Sequence, residues 1–423
     1  MATDFAVVQD RLAEKSVTSN YASFLTVGGV LAVIGIALFV VALMGEGSHR
    51  AWQMFQVNWL FFTGLTGGSI AITAVHKIAN AKWSGVIIRL SQAASGFIPV
   101  SLLGLVLIFT LGYHDIYGNM QEALHGVSAG KALWLSKTWM ATRLFLGLGL
   151  LYYLGMKLIR SDMLPDLVLA KEKVSDARKA RYTQMLAGYD EGENHTRIYR
   201  LAALFAVTYA MVFTMVAFDG IMALQPHWFS NLLGGWFFMG SFLGAHMLLG
   251  LMMIFSRNNG ARLGEFISPK QRHDLGKLCF GFTVFWTYLM WAQFLVIWYG
   301  NLPEETGFVF ARLWGDWRVI GAAVFLGVFV LPFTGLLAVG PKKIPAVFGL
   351  FATISLCGLW LERYLLVMPS VTAEAGPVVG IPEIGPTLAF LGLFIACIGW
   401  FARTYPMVSP RLALITLQKE AAH

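Results

Sequence analysis

Charge is scarce in this chain of 423 residues. Asp, Glu, Lys and Arg make up 13% of it, hydrophobic residues 57%, and mean hydropathy is +0.65. A soluble domain carries roughly twice that charge fraction, so the balance excludes a soluble enzyme. Cysteine is scarcer still. Cys279, Cys357 and Cys397 all fall in apolar stretches and none stands in a Cys-x-x-Cys pair. Neither a disulfide framework nor an iron–sulfur cluster held by this chain is implied. No glycine-rich phosphate loop of the nucleotide-binding kinds is present, which argues against direct ATP coupling. The stretch Met1 to Asn20 lacks the basic n-region of a signal peptide, so the first apolar segment is expected to be kept as a span.

What the chain has instead is apolar runs of about 20 residues, each long enough to cross a roughly 30 Å hydrocarbon core. Ten spans are expected, at 22–44, 54–77, 86–111, 134–159, 198–224, 230–255, 274–299, 317–339, 345–368 and 386–404. Trp52, Trp134, Trp228, Trp298, Tyr299 and Trp317 lie near span ends, as interfacial anchors do. Pro99 and Pro332 fall inside spans and predict kinks. The net charge of +8 is a membrane orientation signal rather than a nucleic-acid footprint. Of the 31 Lys and Arg residues, 24 fall on the side of the termini, 5 on the other side, and Arg143 and Arg363 lie within spans. That bias predicts cytoplasmic termini. In the charged loop Arg160 to Arg197, the segment from Pro165 to Ala187 reads as a surface helix, either solvated or docking a cytoplasmic partner.

Two stretches repeat. Phe61-Phe62-x-Gly64-x-x-x-Gly68 in span 2 matches Phe237-Phe238-x-Gly240-x-x-x-Gly244 in span 6. Asp219 precedes Pro226 by seven residues in span 5, as Glu362 precedes Pro369 in span 9. Each Gly-x-x-x-Gly puts two glycines on one face, where another helix can approach closely. The shared offset of four spans predicts two parallel-repeat four-helix bundles, spans 2–5 and spans 6–9, with spans 1 and 10 flanking them. The corresponding divisions are 1–53, 54–225, 226–370 and 371–423.

A charge at mid-membrane costs at least ~2.5–3.5 kcal/mol on insertion scales, so each one needs a reason. Asp219, Glu362, Arg363 and Arg143 lie in the outer halves of their spans. His246 is nearer the middle of span 6, and His76, Arg89 and Asp274 lie near the opposite ends of theirs. Together they sketch an interrupted polar line from face to face. Buried carboxylates and histidines suit proton transfer because burial moves their pKa values. The plainer reading is that Asp219 or Glu362 neutralises Arg143 or Arg363 and fixes packing. For His246 the plainer reading is a bond to a backbone carbonyl; for Arg89, His76 and Asp274 it is snorkelling to the interface. Gln293 reads as interhelical glue. His114-Asp115-x-Tyr117, with His125, lacks metal-ligand spacing, and no metal site is expected.

The stretch Phe218-Asp219-Gly-Ile-Met-Ala-Leu-Gln-Pro226-His227-Trp228-Phe229-Ser230 resembles a signature of the NrfD/polysulfide-reductase-like membrane subunits of alternative complex III. Further matches are His273-Asp274-Leu-Gly-Lys277, Ile297-Trp298-Tyr299-Gly-Asn301-Leu-Pro303-Glu304-Glu305-Thr306, and Leu361-Glu362-Arg363-Tyr364 through Pro369-Ser370. The likeness is nearest the ActF type, one of two related subunits of this kind. It implies an oxidoreductase complex of the bacterial cytoplasmic membrane that oxidises menaquinol or another quinol and passes electrons to a cytochrome c or an oxidase. Haem c and iron–sulfur clusters would sit in partner subunits, and this chain would bind no cofactor covalently. A second NrfD-like subunit, an iron–sulfur subunit and haem c subunits are the implied partners, along with lipids and the quinol pool. Asp219, His227, Asp274, Glu362 and Arg363 match motif positions and carry over as path or structural residues. His246 and Arg143 rest on their placement alone. Gly220 stands where the family often has a tryptophan, and Gln225 where it often has an acidic residue, so no quinone contact is carried over at that mouth. Two other readings remain: the quinol-binding subunit of such a complex, and, from another class, a secondary transporter.

Overall fold

The computed structural model describes residues 5–18, 20–124, 127–259, 262–372 and 376–421. Ten helices among them are long and apolar enough to cross a membrane. They are spans 1 to 10 in order: Ala22–Leu43, Ser48–Ile78, Ile88–Ala123, Lys137–Lys173, Glu191–Leu224, Leu233–Asn258, Pro269–Gly300, Gly315–Leu337, Pro345–Val371 and Ile381–Thr404. The chain is an all-α, multi-pass membrane protein. Local chemistry sets several boundaries. Asp190 caps span 5 by accepting from the Glu193 amide at 2.7 Å, and Ser268 caps span 7 from the Gln271 amide at 3.1 Å, just before Pro269. Both satisfy donors that a helix start leaves free. Span 7 ends where Asn301 turns left-handed, with φ of 47°.

Span 2 is the core element. In its most apolar window 94% of residues are buried, against 17% in span 1, and it touches spans 5, 6, 9 and 10. Spans 2 to 5 contact one another as a closed ring of neighbours, and spans 6 to 9 form a second ring. The rings meet where span 2 crosses span 6. A methyl group on Gly68 would lie 2.5 Å from the Ser241 carbonyl oxygen, so only glycine permits this approach. Spans 1 and 10 pack along their length as a flanking pair. There a methyl group on Gly35 would lie 2.1 Å from the Ala389 amide nitrogen.

Two spans depart from α geometry beside their prolines. Span 3 passes through a 3-10 segment, Ala93–Phe97, just before Pro99, and later a π segment, Ile108–Gly112. Span 8 has a π segment, Leu326–Val330, just before Pro332. Proline lacks the amide donor and crowds the preceding turn, which is why the ladder shifts there.

Two expectations need correction. The helix of span 4 continues to Ala170, with Pro165 inside it, so a separate surface helix covers only Asp176–Met185. Trp52, Trp228 and Trp317 are buried rather than interfacial; Trp134, Trp298 and Tyr299 are exposed as anchors are. Trp228 instead stacks on Phe308, centroids 3.6 Å apart, under the helix Pro303–Leu313.

Candidate functional site

Each ring buries a carboxylate in the half of the molecule away from the Lys/Arg-rich side. In the first ring Asp219 is 1% exposed. Arg143 of span 4 reaches it with both Nε, at 2.7 Å from Oδ2, and Nη2, on Oδ1. This two-point geometry is the strong form of the pair. The same guanidinium donates to the Trp134 carbonyl at 2.7 Å and lies 4.2 Å from the centre of that indole. Behind the pair, the Tyr117 hydroxyl donates to the Asp219 carbonyl at 3.1 Å. Gln56 Nε2 donates to the Gly220 carbonyl at 2.9 Å and to the Tyr117 hydroxyl at 3.0 Å. Spans 2, 3, 4 and 5 thus each contribute one side chain.

In the second ring Glu362 is also 1% exposed. Trp286 Nε1 of span 7 donates to its Oε1 at 2.9 Å, and Arg363 Nη1 lies 2.9 Å from its Oε2. Arg363 Nη2 donates to the Phe237 carbonyl of span 6 at 3.1 Å. Glu362 also lines an apolar cavity of about 400 Å³ between spans 7, 8 and 9 and the helix Pro303–Leu313. Gln293 and Arg312 share that wall. The Oε1 atom of Gln293 is buried with no hydrogen-bond partner among the described residues. Arg312 gives its protons to Phe308, Leu366 and Ser370 and, among the described residues, pairs with no carboxylate; burial holds its pKa well below the usual arginine range.

Between the two faces runs a polar stripe that sequence reasoning missed. Gln56, Thr63, Thr66, Ser69, Thr73 and His76 of span 2 are all buried. Most are three or four residues apart, so they wind along one face of the helix. At 1.5 Å per residue the stripe is about 30 Å long, the thickness of the hydrocarbon core. Thr63 is 2.7 Å from the Ser101 hydroxyl, which is 2.8 Å from that of Tyr152. Among the described residues, the hydroxyls of Ser69 and Thr73 and both ring nitrogens of His76 have no hydrogen-bond partner. The His76 ring lies 6.5 Å from that of His246, whose Nδ1 is 2.9 Å from the Phe242 carbonyl oxygen. His246 is therefore backbone-tied, as its plainer reading held.

At the basic end the stripe meets a buried ionic cluster. Arg89 is fully buried and pairs with both Asp162 and Asp166. Lys77 also pairs with Asp162, Gln92 donates to Asp162 at 2.7 Å, and the Ser409 hydroxyl donates to Asp166 at 2.9 Å. Arg89 does not snorkel. Its partners are not evident from hydropathy, which ends span 4 near residue 159 and leaves Asp162 and Asp166 in the charged loop. Their spacing of four residues, which puts both on one helix face, was the available signal.

The remaining expected positions stand apart. Asp274 pairs with Lys277 at 2.7 Å, with the Lys277 side chain 56% exposed. His227 and His114 are exposed, and Asp115 pairs with His49. His125 lies outside the described residues. The arrangement joins Asp219, Arg143, Glu362, Arg363 and the His76–His246 contact to the interior, and leaves His227 and Asp274 at its edges. Neither the family models nor the curated proteins searched contain a match to this chain.

Proposed function

We propose that this chain is the proton-conducting membrane subunit of a bacterial respiratory complex that oxidises quinol, with its basic side facing the cytoplasm. The observation that carries the reading is the polar stripe of span 2, which leads from the Gln56–Tyr117–Asp219 cluster to His76 and the Arg89–Asp162–Asp166 cluster. Unpartnered buried hydroxyls and ring nitrogens are the groups that take up ordered water. A chain of hydroxyls, waters and histidine relays protons; the Asp219–Arg143 pair gates its outer end. The two closed rings also support a parallel duplication, in which Asp219 and Glu362 hold corresponding places.

Coupling is electrostatic in this account. Moving one charge against 100 mV costs about 2.3 kcal/mol. A unit charge appearing about 10 Å away, at an effective dielectric constant of about 20, contributes roughly 1.7 kcal/mol, a little over one pKa unit. That is less than the cost of the step, so a redox centre in a partner subunit must come closer, within about 7 Å of Asp219 or Glu362, to drive it alone. Haem c and iron–sulfur chemistry stay in those partners.

A second reading draws on the cavity beside Glu362. Its volume falls within the usual range for small-ligand sites, and its apolar wall carries few polar groups. Gln293 Oε1 and Glu362 Oε2 are acceptors suited to a quinol hydroxyl, and a bound quinol would supply two electrons and two protons. A secondary transporter gains less. Its broken helices should fall at corresponding places, whereas spans 3 and 8 do not correspond under the four-span offset.

Reconstituted vesicles of the purified complex separate these readings. Asp219→Asn and Glu362→Gln are expected to lower the protons moved per electron while quinol oxidation continues. Gln293→Leu spares both quantities under the first reading and lowers oxidation itself under the second. Unchanged proton stoichiometry in both carboxylate variants would reject proton conduction through these groups.

A further inference from the structure

A recess on the basic side lies between the ends of spans 2 and 3, the start of span 5 and the C-terminal helix Pro410–Ala421. Its volume is about 150 Å³, several times the roughly 30 Å³ share of one water. Lys77, Lys82, His195 and Arg411 line it, and among the described residues no carboxylate does. Asp162 neutralises Lys77 from one side. Asp166 approaches Arg411 only through the backbone amide, at 3.4 Å. Among the described residues Lys82, His195 and Arg411 form no ion pair, and the Arg411 Nε atom is buried without a partner. The floor is His76, 7% exposed, with neither ring nitrogen hydrogen-bonded. A cationic recess with an unused buried donor at its base suits an anion of compact, multi-acceptor shape. Apolar surface is exposed beside the recess at Tyr199 and Ile415 of its lining and at Ile78, next to Lys77.

We infer that this recess binds a phosphate group, supplied by an anionic phospholipid whose acyl chains run over Ile78, Tyr199 and Ile415. The phosphate oxygens accept from Lys82, Arg411 and the His76 ring N–H. The inference stands on the recess and does not require the redox reading, since any membrane protein with this surface would hold the same headgroup.

The full chain, in the assembly with which it is extracted, is placed in nanodiscs of phosphatidylglycerol or of phosphatidylcholine, and retained lipid is read by native mass spectrometry. Retention of phosphatidylglycerol is expected to exceed that of phosphatidylcholine. Lys82→Gln and Arg411→Gln, on separate elements, should each reduce it about fivefold, the effect of one basic residue near an anionic surface. Lys82→Arg keeps the charge and should keep the retention, which separates loss of charge from loss of fold. Displacement by millimolar inorganic phosphate, without preference between the two lipids, would assign the same site to a free anion. Equal retention of phosphatidylglycerol and equal phosphate binding by the wild type and both Gln variants would overturn the inference.

Discussion

At the residue scale, the chemistry of this protein lies in buried carboxylates that each meet a cation. Asp219 faces Arg143, Glu362 faces Arg363 and Trp286, and Arg89 faces two aspartates. Removing one member of such a pair leaves the other in a medium that cannot solvate it, a loss of about 3–5 kcal/mol, while replacing both by apolar groups is often close to neutral. Asp219→Asn should therefore lower the unfolding midpoint in detergent, and Asp219→Leu combined with Arg143→Leu should recover most of that loss. If the double variant were as unstable as the single one plus the cost of Arg143→Leu alone, the two residues would be energetically independent and the pair would not hold the ring together.

At the element scale, glycine governs which helices meet. Span 1 is the least buried of the ten, yet it lies against span 10 so closely that Gly35 has no room for a methyl group. Lipid tails are as apolar as leucine, so the association of these two spans depends on close backbone packing. Gly35→Leu should separate them, which crosslinking between cysteines placed on spans 1 and 10 would report as a lost product. A product formed as readily as in the parent protein would show that the contact tolerates bulk. Hydropathy made the ten spans legible because each carries an apolar run of sufficient length, and the spacing of Gly64 and Gly68 pointed to a close crossing. The end of span 4 was not legible, since Asp162 and Asp166 read as solvated until Lys77 and Arg89 are brought to them by folding. Nor was the stripe on span 2. Serine, threonine and glutamine are tolerated singly in any membrane helix, and only the burial of that whole span turns five of them, with His76, into a line.

On the scale of the whole molecule, the two rings, the flanking pair and the C-terminal helix surround span 2 and close its polar face off from lipid. A route of about 30 Å lined by hydroxyls and histidine sits at the centre, with an ionic cluster at its basic end and an arginine-paired carboxylate at the other. Its middle holds no charge of its own, so the proposed conduction would depend there on Ser69 and Thr73 keeping the path wet. The most direct test replaces both with near-isosteric groups, Ser69→Ala with Thr73→Val, and measures protons moved per electron in vesicles of the purified complex. The account predicts a lower ratio with quinol oxidation retained. A ratio equal to that of the parent complex would contradict it and place any proton route elsewhere.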